Sequence, residues 1–181
     1  QLAEQRQRIQ QEADRRAAEE RQRQQQQQNS GTFRDSRDGK TYKWVRIGQQ
    51  VWMAENLAYS PRGRLARLTS EYWAYEDDQA KVEEYGYYYN WETAKRVCPN
   101  GWHLPSKDEW QTLIDYVGQN PGAKLKTTRG WYNNGNGTNE FNFSAFPTSM
   151  RISQGFYSIG TIGAWWSSSY NDDPNTVYRS W

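Results

Sequence analysis

The aromatic residues are confined to one part of this chain, and that confinement decides where a fold can form. All ten tryptophans and all thirteen tyrosines lie beyond position 31, whereas residues 1–28 carry no large apolar side chain except Leu2 and Ile9. Rings bring the largest apolar areas of any side chains, so only the second part can collapse around a core. A mean hydropathy of −1.18 taken alone points to disorder. The 15% aromatic content contradicts it, and the low average comes from the polar N-terminal segment and from many Asn, Gly and Tyr residues.

The charge pattern removes several function classes. The formal net charge is +2, with both signs interspersed, so there is no basic stripe of the kind that neutralises a phosphate backbone, and no nucleic-acid partner is expected. No apolar run approaches the ~20 residues that cross a bilayer. The chain begins with Gln and shows no signal-peptide pattern, so a membrane association is expected only through an anchor outside it. Cys98 and His103 are the only residues of their types. That excludes an internal disulfide and the usual Cys/His zinc spacings, and leaves Cys98 readable as a small buried apolar residue.

Along the chain, residues 1–28 read as a charged helical stalk or spacer ending in a glutamine run. Glu4 and Arg8, Glu12 and Arg16, and Glu19 and Arg23 each stand four apart with the acid first, which supports an isolated helix. Leu2 and Ile9 make a single heptad of apolar seam, so the stalk is a solvated spacer with at most weak self-association. Residues 29–31 read as a linker and 32–181 as the domain. Strands are expected at Thr32 to Asp35, Lys40 to Ile47 and Gln50 to Met53, with turns at Arg37-Asp38-Gly39 and at Gly48. Tyr42, Trp44 and Arg46 then face one side, and Lys43, Val45 and Ile47 the other. Residues 58–84 read as a long loop.

Helix signals follow. Asn90 caps a short helix with Trp91, Ala94 and Val97 on one face, Glu92 paired with Arg96, and Pro99 ending it. Ser106 and Glu109 form a capping box, Trp110, Leu113, Ile114 and Val117 share one face, and Gly118 sits at the C-terminal cap. Beyond 119 there is no helical period; Phe141 to Phe146 and Trp165 to Ser169 read as short strands between Asn/Gly-rich loops. Strands, then helices, then loops and strands point to an α+β domain with helices packed on a small, mostly antiparallel sheet.

The string Val51 to Leu57, the stretch Gly86 to Ala94, Cys98-Pro99-Asn100-Gly101-Trp102-His103-Leu104-Pro105-Ser106 with Glu109-Trp110, Gly135 to Thr138, Phe143 to Ala145 and Trp165 to Ser167 occur in an order that resembles the Fibrobacter succinogenes major paralogous (FISUMP) domain family. The resemblance covers about residues 33–181. It implies a secreted or surface protein of bacteria, often a lipoprotein, with a fold similar to C-type lectins and the formylglycine-generating enzyme. It also implies structural roles for Trp52, Trp102, Trp110 and Trp165. Family domains continue past the Trp-Trp-Ser element to a closing strand with a Gly-Phe-Ser-Val-Arg-Cys-like ending. On that comparison Cys98 is a structural half-cystine whose partner lies outside this chain.

No catalytic constellation emerges. Catalysis by the related generating enzymes needs more than one Cys and one His, and adjacent acids such as Asp77-Asp78 say nothing of the spacing glycoside hydrolysis requires. His103, between Trp102 and Leu104, reads as a packed residue satisfied by a backbone group. Binding is the better expectation, because loops of Tyr, Trp, Ser, Asn and Gly offer rigid contact area and adaptable hydrogen bonds. Tyr170, Asn171, Asp172, Asp173, Asn175, Tyr178 and Arg179 are the candidate surface for a cell-surface protein or polysaccharide ligand, a placement taken from the resemblance; a solvated turn between strands is the alternative. No cofactor is called for; Asn133, Asn134, Asn136, Asn139 and Glu140 offer a weak calcium pattern that turn chemistry explains equally well. The expected function is a non-enzymatic extracellular or outer-membrane cell-surface adhesion module. Its rivals are a self-associating scaffold domain and an enzyme.

Overall fold

In a computed structural model, the structure describes residues 2–61, 71–152, 155, 156, 159–169 and 178–180. The chain divides into two compact units, residues 1–31 and 32–181.

The first unit is dominated by helix α1 (Leu2–Gln28). The glutamine run is part of it, since Gln has nearly the helix propensity of Lys and Glu. Glu12 pairs with Arg16 at 2.6 Å, and Glu19 pairs with Arg15 at 3.7 Å, one turn back from the Arg23 that the spacing favours. Ile9 is 63% exposed. Strand β1 spans Ser30–Arg34.

The second unit is α+β. A three-stranded sheet in the order β1-β2-β3 combines β1 with β2 (Thr41–Ile47) and β3 (Gln50–Met53). Strands β2 and β3 are antiparallel, with Val45 opposite Trp52 and Ile47 opposite Gln50. Gly48 makes the two-residue turn possible: its φ is +59, and a Cβ there would stand 2.8 Å from the Tyr116 ring. The alternation along β2 feeds two cores. Val45 and Ile47 join Trp52, Trp110, Leu113, Val117, Leu125 and Phe143 on one face, while Tyr42 on the other joins Ala58, Ala74 and Val82. Both faces of the sheet are therefore covered, and the hairpin separates the two clusters.

The segment read as a loop from 58 to 84 has structure over its described part. Strand β4 (Tyr72–Trp73) pairs antiparallel with β5 (Tyr88–Tyr89), and between them come two 3-10 turns and helix α2 (Val82–Tyr85). Gly86, at φ +72, lets the chain press against residues 56 and 57: a Cβ would lie 2.7 Å from that of Asn56. Tyr87 N–H then donates to Leu57 O at 2.9 Å, and Asn56 Nδ2 to Tyr85 O at 3.0 Å.

Helix α3 (Trp91–Ala94) is capped by Asn90, whose side chain accepts from Thr93 N–H. It ends too early to carry Val97, and Glu92 pairs with Lys95 at 3.0 Å while Arg96 reaches Glu71 at 3.2 Å. Helix α4 (Lys107–Val117) has the full Ser106/Glu109 capping box and ends at Gly118, burying Trp110, Leu113 and Val117. A further short helix, α5 (Pro121–Leu125), starts with proline in its first turn. No strand forms over Phe141 to Phe146, where Ala145 makes only an isolated bridge to Lys126. Two small antiparallel pairs follow, β6 (Arg151–Ile152) with β7 (Gly155–Phe156), and β8 (Ala164–Trp166) with β9 (Tyr178–Ser180).

Candidate functional site

Within the second unit a cleft of about 1410 Å³ opens along β3 and the residues after it. Its walls include Trp52, Met53 and Leu57 on one side, Tyr87 to Tyr89 of the β5 region and Trp165 and Trp166 of β8 on others, and Phe143 and Phe146 beneath. Short-range order builds these walls. Trp52 packs on Trp110 in a tilted arrangement with ring centroids 4.7 Å apart and planes at 38°, and Phe143 meets Trp52 edge-on at 5.8 Å. Such aromatic pairs add about 0.5–1.5 kcal/mol each beyond their buried area.

The indole N–H groups hold the walls together. Trp165 Nε1 donates to Asn56 Oδ1 at 3.1 Å, Trp166 Nε1 to Tyr89 O at 2.7 Å, and Trp91 Nε1 to Ser167 O at 2.8 Å. Ser168 N–H donates to Pro105 O at 2.8 Å. The Trp-Trp-Ser element thus ties β8 to both helical regions, and Trp165 and Trp166, each half-buried, serve as wall as much as core. Tyr88 O–H donates to Thr148 O, and Tyr89 O–H to Tyr59 O at 2.7 Å. Burial pushes both phenols above their ordinary value.

One polar group in the cleft has no such employment. Ser149 is 3% exposed, and its Oγ has no hydrogen-bond partner among the described residues. Its backbone sits at φ +64, a region disfavoured for a residue with a Cβ. Its N–H is used, donating to Ile162 O at 2.6 Å. Burying an unsatisfied hydroxyl costs roughly 1–3 kcal/mol, and backbone strain adds to that. Groups held at such a cost cluster where ligands are bound.

His103 is not packed as its neighbours imply. Its side chain is 71% exposed, and Nε2 lies 2.7 Å from Glu109 Oε1. Burial would raise the Glu109 carboxyl. The N–H of Ser106, with His103 and the Ser106 hydroxyl, outweighs that and holds it below the usual carboxylate range. Glu109 is therefore engaged as the helix cap, with Oε2 accepting from Ser106 N–H at 2.7 Å. Cys98 is half-buried at the cleft, its Sγ 3.8 Å from Ala94 O, and burial pushes the thiol up. A raised thiol is a poor nucleophile at neutral pH.

Below Cys98 lies a charged lock that no sequence motif announces. Asp35, 2% exposed, is gripped by Arg37, whose Nη2 stands 2.6 Å from Oδ2. The same guanidinium donates to Val97 O at 2.8 Å and lies 3.7 Å over the Tyr59 ring. The Arg37 hydrogen bond holds the Asp35 carboxyl below its ordinary value despite burial.

Of the loop proposed from sequence, Tyr170, Asn171, Asp172, Asp173 and Asn175 lie outside the described residues. Tyr178 and Arg179 stand in β9, opposite Trp166 and Trp165. Trp52 and Trp110 are buried, and Trp102 stacks on Phe33 at 4.7 Å. In the asparagine loop, Asn136 Oδ1 accepts from Trp131 N–H at 3.0 Å and Asn139 Oδ1 from Ser144 N–H at 2.8 Å. Asn133, Asn134 and Asn139 all have positive φ. These residues serve the turns of the loop, and no group of three His, Cys, Asp or Glu able to hold a metal occurs among the described residues.

The fold and the cleft define a class: an α+β domain whose small antiparallel sheets and short helices frame an aromatic recess. The family model of the Fibrobacter succinogenes major domain matches residues 45–181, and the chain belongs to that family. No curated protein and no solved structure matches it.

Proposed function

We propose that residues 32–181 form a non-enzymatic ligand-binding module of the extracellular or cell-surface kind, with a C-type-lectin-like arrangement of loops over a small sheet. The observation that carries this reading is the cleft itself, walled by rings and holding the buried, unpartnered Ser149 hydroxyl. Rigid aromatic walls with a few polar groups are the composition of ligand sites generally. The ligand class is a cell-surface protein or a polysaccharide. The stalk serves as a spacer; no described helix is long and apolar enough to cross a membrane. Tyr170, Asn171 and Asp173 remain part of the proposed surface, on the reading of the sequence alone.

Ser149→Gly tests the reading. Glycine accepts the positive φ without strain and removes the orphan hydroxyl, so stability rises or holds. Binding to an array of glycans and peptides falls about fivefold or more, the loss expected for one hydrogen bond. A variant that binds as well as the parent would refute a role for this hydroxyl. Binding left intact by joint replacement of Tyr170, Asn171 and Asp173 would remove the loop from the site. Turnover of any glycan or peptide in the same screen would establish the enzymatic rival, and concentration-dependent sedimentation without a ligand the scaffold one.

A further inference from the structure

The open edge of the three-stranded sheet identifies the kind of ligand, on the reading that the cleft is the binding site. Bonded and non-bonded residue pairs alternate along an antiparallel ladder. Ala54 N–H donates to Lys43 O at 2.9 Å, so the pairs Val45↔Trp52 and Ile47↔Gln50 are bonded and the pairs Trp44↔Met53 and Arg46↔Val51 are not. Val51 and Met53 therefore turn their N–H and C=O groups away from β2. In the order β1-β2-β3 no further strand stands on that side among the described residues, and both residues line the cleft. Among the described residues, neither backbone has a hydrogen-bond partner outside the ladder.

Sheet edges of soluble proteins are commonly protected by proline, inward charge or a bulge. Strand β3, with the sequence Gln50-Val51-Trp52-Met53, has none of these. The surroundings are apolar on both faces of that edge: Trp52 with Trp110 and Phe143 on one, Met53 with Leu57 and Tyr87 on the other. Beside that edge Lys43 and Glu55 pair with each other at 3.3 Å, and Arg46 stands opposite Val51 across the ladder. We infer that the cleft takes an extended polypeptide segment, apolar on both faces, which adds to β3 as a fourth strand. A peptide backbone repeats its donor and acceptor every second residue, about 6.6–6.8 Å, which is the spacing at which Val51 and Met53 present theirs. Main-chain bonds then give affinity and the two apolar walls give selectivity.

The test uses the full 181-residue chain and a displayed library of random seven-residue peptides. Selected peptides carry consecutive rather than alternating apolar residues, and the best of them slows amide exchange at Val51 and Met53 at least tenfold. Methylating the peptide nitrogens of one alternate set abolishes binding, and methylating the other set leaves it; this requires no change to the protein. Met53→Pro, which removes one outward donor, weakens binding about fivefold. Peptides that bind without protecting these two amides, or equal effects of both methylated sets, overturn the inference. Glycan binding with no peptide selected overturns it while leaving the ligand-binding reading intact. Protection of the same amides by a second copy of the chain overturns the choice of occupant. Failure of peptides and glycans alike ends both readings.

Discussion

Removing the Arg37 side chain tests the charged lock under the cleft. In Arg37→Ala the Asp35 carboxylate, 1% exposed at its side chain, loses its cation, and Val97 O loses its donor. Breaking a buried ion pair by deleting one partner costs about 3–5 kcal/mol. The Arg37 side chain is 24% exposed, and Arg37 N–H still donates to Asp35 Oδ1 at 3.0 Å, which places the expected loss near the lower end, about 3 kcal/mol. The pH dependence gives a sharper signature. In the parent, the Arg37 hydrogen bond depresses the Asp35 carboxyl, so its contribution is present above the ordinary carboxylate value of about 4 and fades as pH falls through the depressed value. In the variant, burial without a cation raises that carboxyl above about 4. Its penalty is then greatest near neutral pH and shrinks as acid protonates it. Urea unfolding followed by tryptophan fluorescence at about pH 7 and about pH 4.5 measures both effects. A loss below about 1 kcal/mol, or a variant whose deficit does not shrink in acid, would refute the argument.

Two further outcomes follow from the cores. Leu113 is fully buried at 0% exposure between the sheet and α4, so Leu113→Ala costs about 3 kcal/mol in the same unfolding assay, and a loss under about 1 kcal/mol would mean the site collapses freely. Tyr42 is buried and its phenol is pushed up to about 12 by desolvation. The unfolded phenol ionises near about 10, so stability is intact below that value and falls by roughly 2–3 kcal/mol as pH rises from about 10 to 12, a decline that Tyr42→Phe removes from stability curves at high pH.

What the sequence revealed depended on how local each signal was. The α4 cap is contained in Ser106 and Glu109, three residues apart, and is legible without any tertiary knowledge. The alternation of β2 is equally local, and it placed Tyr42 opposite Val45 and Ile47. The β4–β5 pair is not local: each strand is two residues long, too short for any period, and its position depends on Gly86 pressing against Asn56. Helix α5 was hidden by its own Pro121-Gly122, which reads as a turn until the pyrrolidine is placed in the first turn of a helix. The pairing of Glu92 with Arg96 required a second helical turn that α3 lacks. The exposure of His103 is not legible from its neighbours, because Trp102 and Leu104 are half-buried while the residue between them faces solvent. Ser149 is not legible in the sequence, since an orphaned hydroxyl exists only once distant segments meet; Asp35 and Arg37 stand two residues apart, but the contacts that bury their pair, to Val97 and Tyr59, come from elsewhere in the chain.

The most direct test is a titration of the 181-residue chain, with its tryptophan indoles labelled with nitrogen-15, against ligands recovered from the combined glycan and peptide screen. Trp52, Trp102, Trp110, Trp165 and Trp166 line the cleft, whereas Trp44, Trp73, Trp91 and Trp131 do not. Ligand-induced shifts concentrated on the first set are the expected result. Shifts confined to the second set, or indole signals with no dispersion before any ligand is added, would contradict a preformed aromatic recess as the seat of recognition.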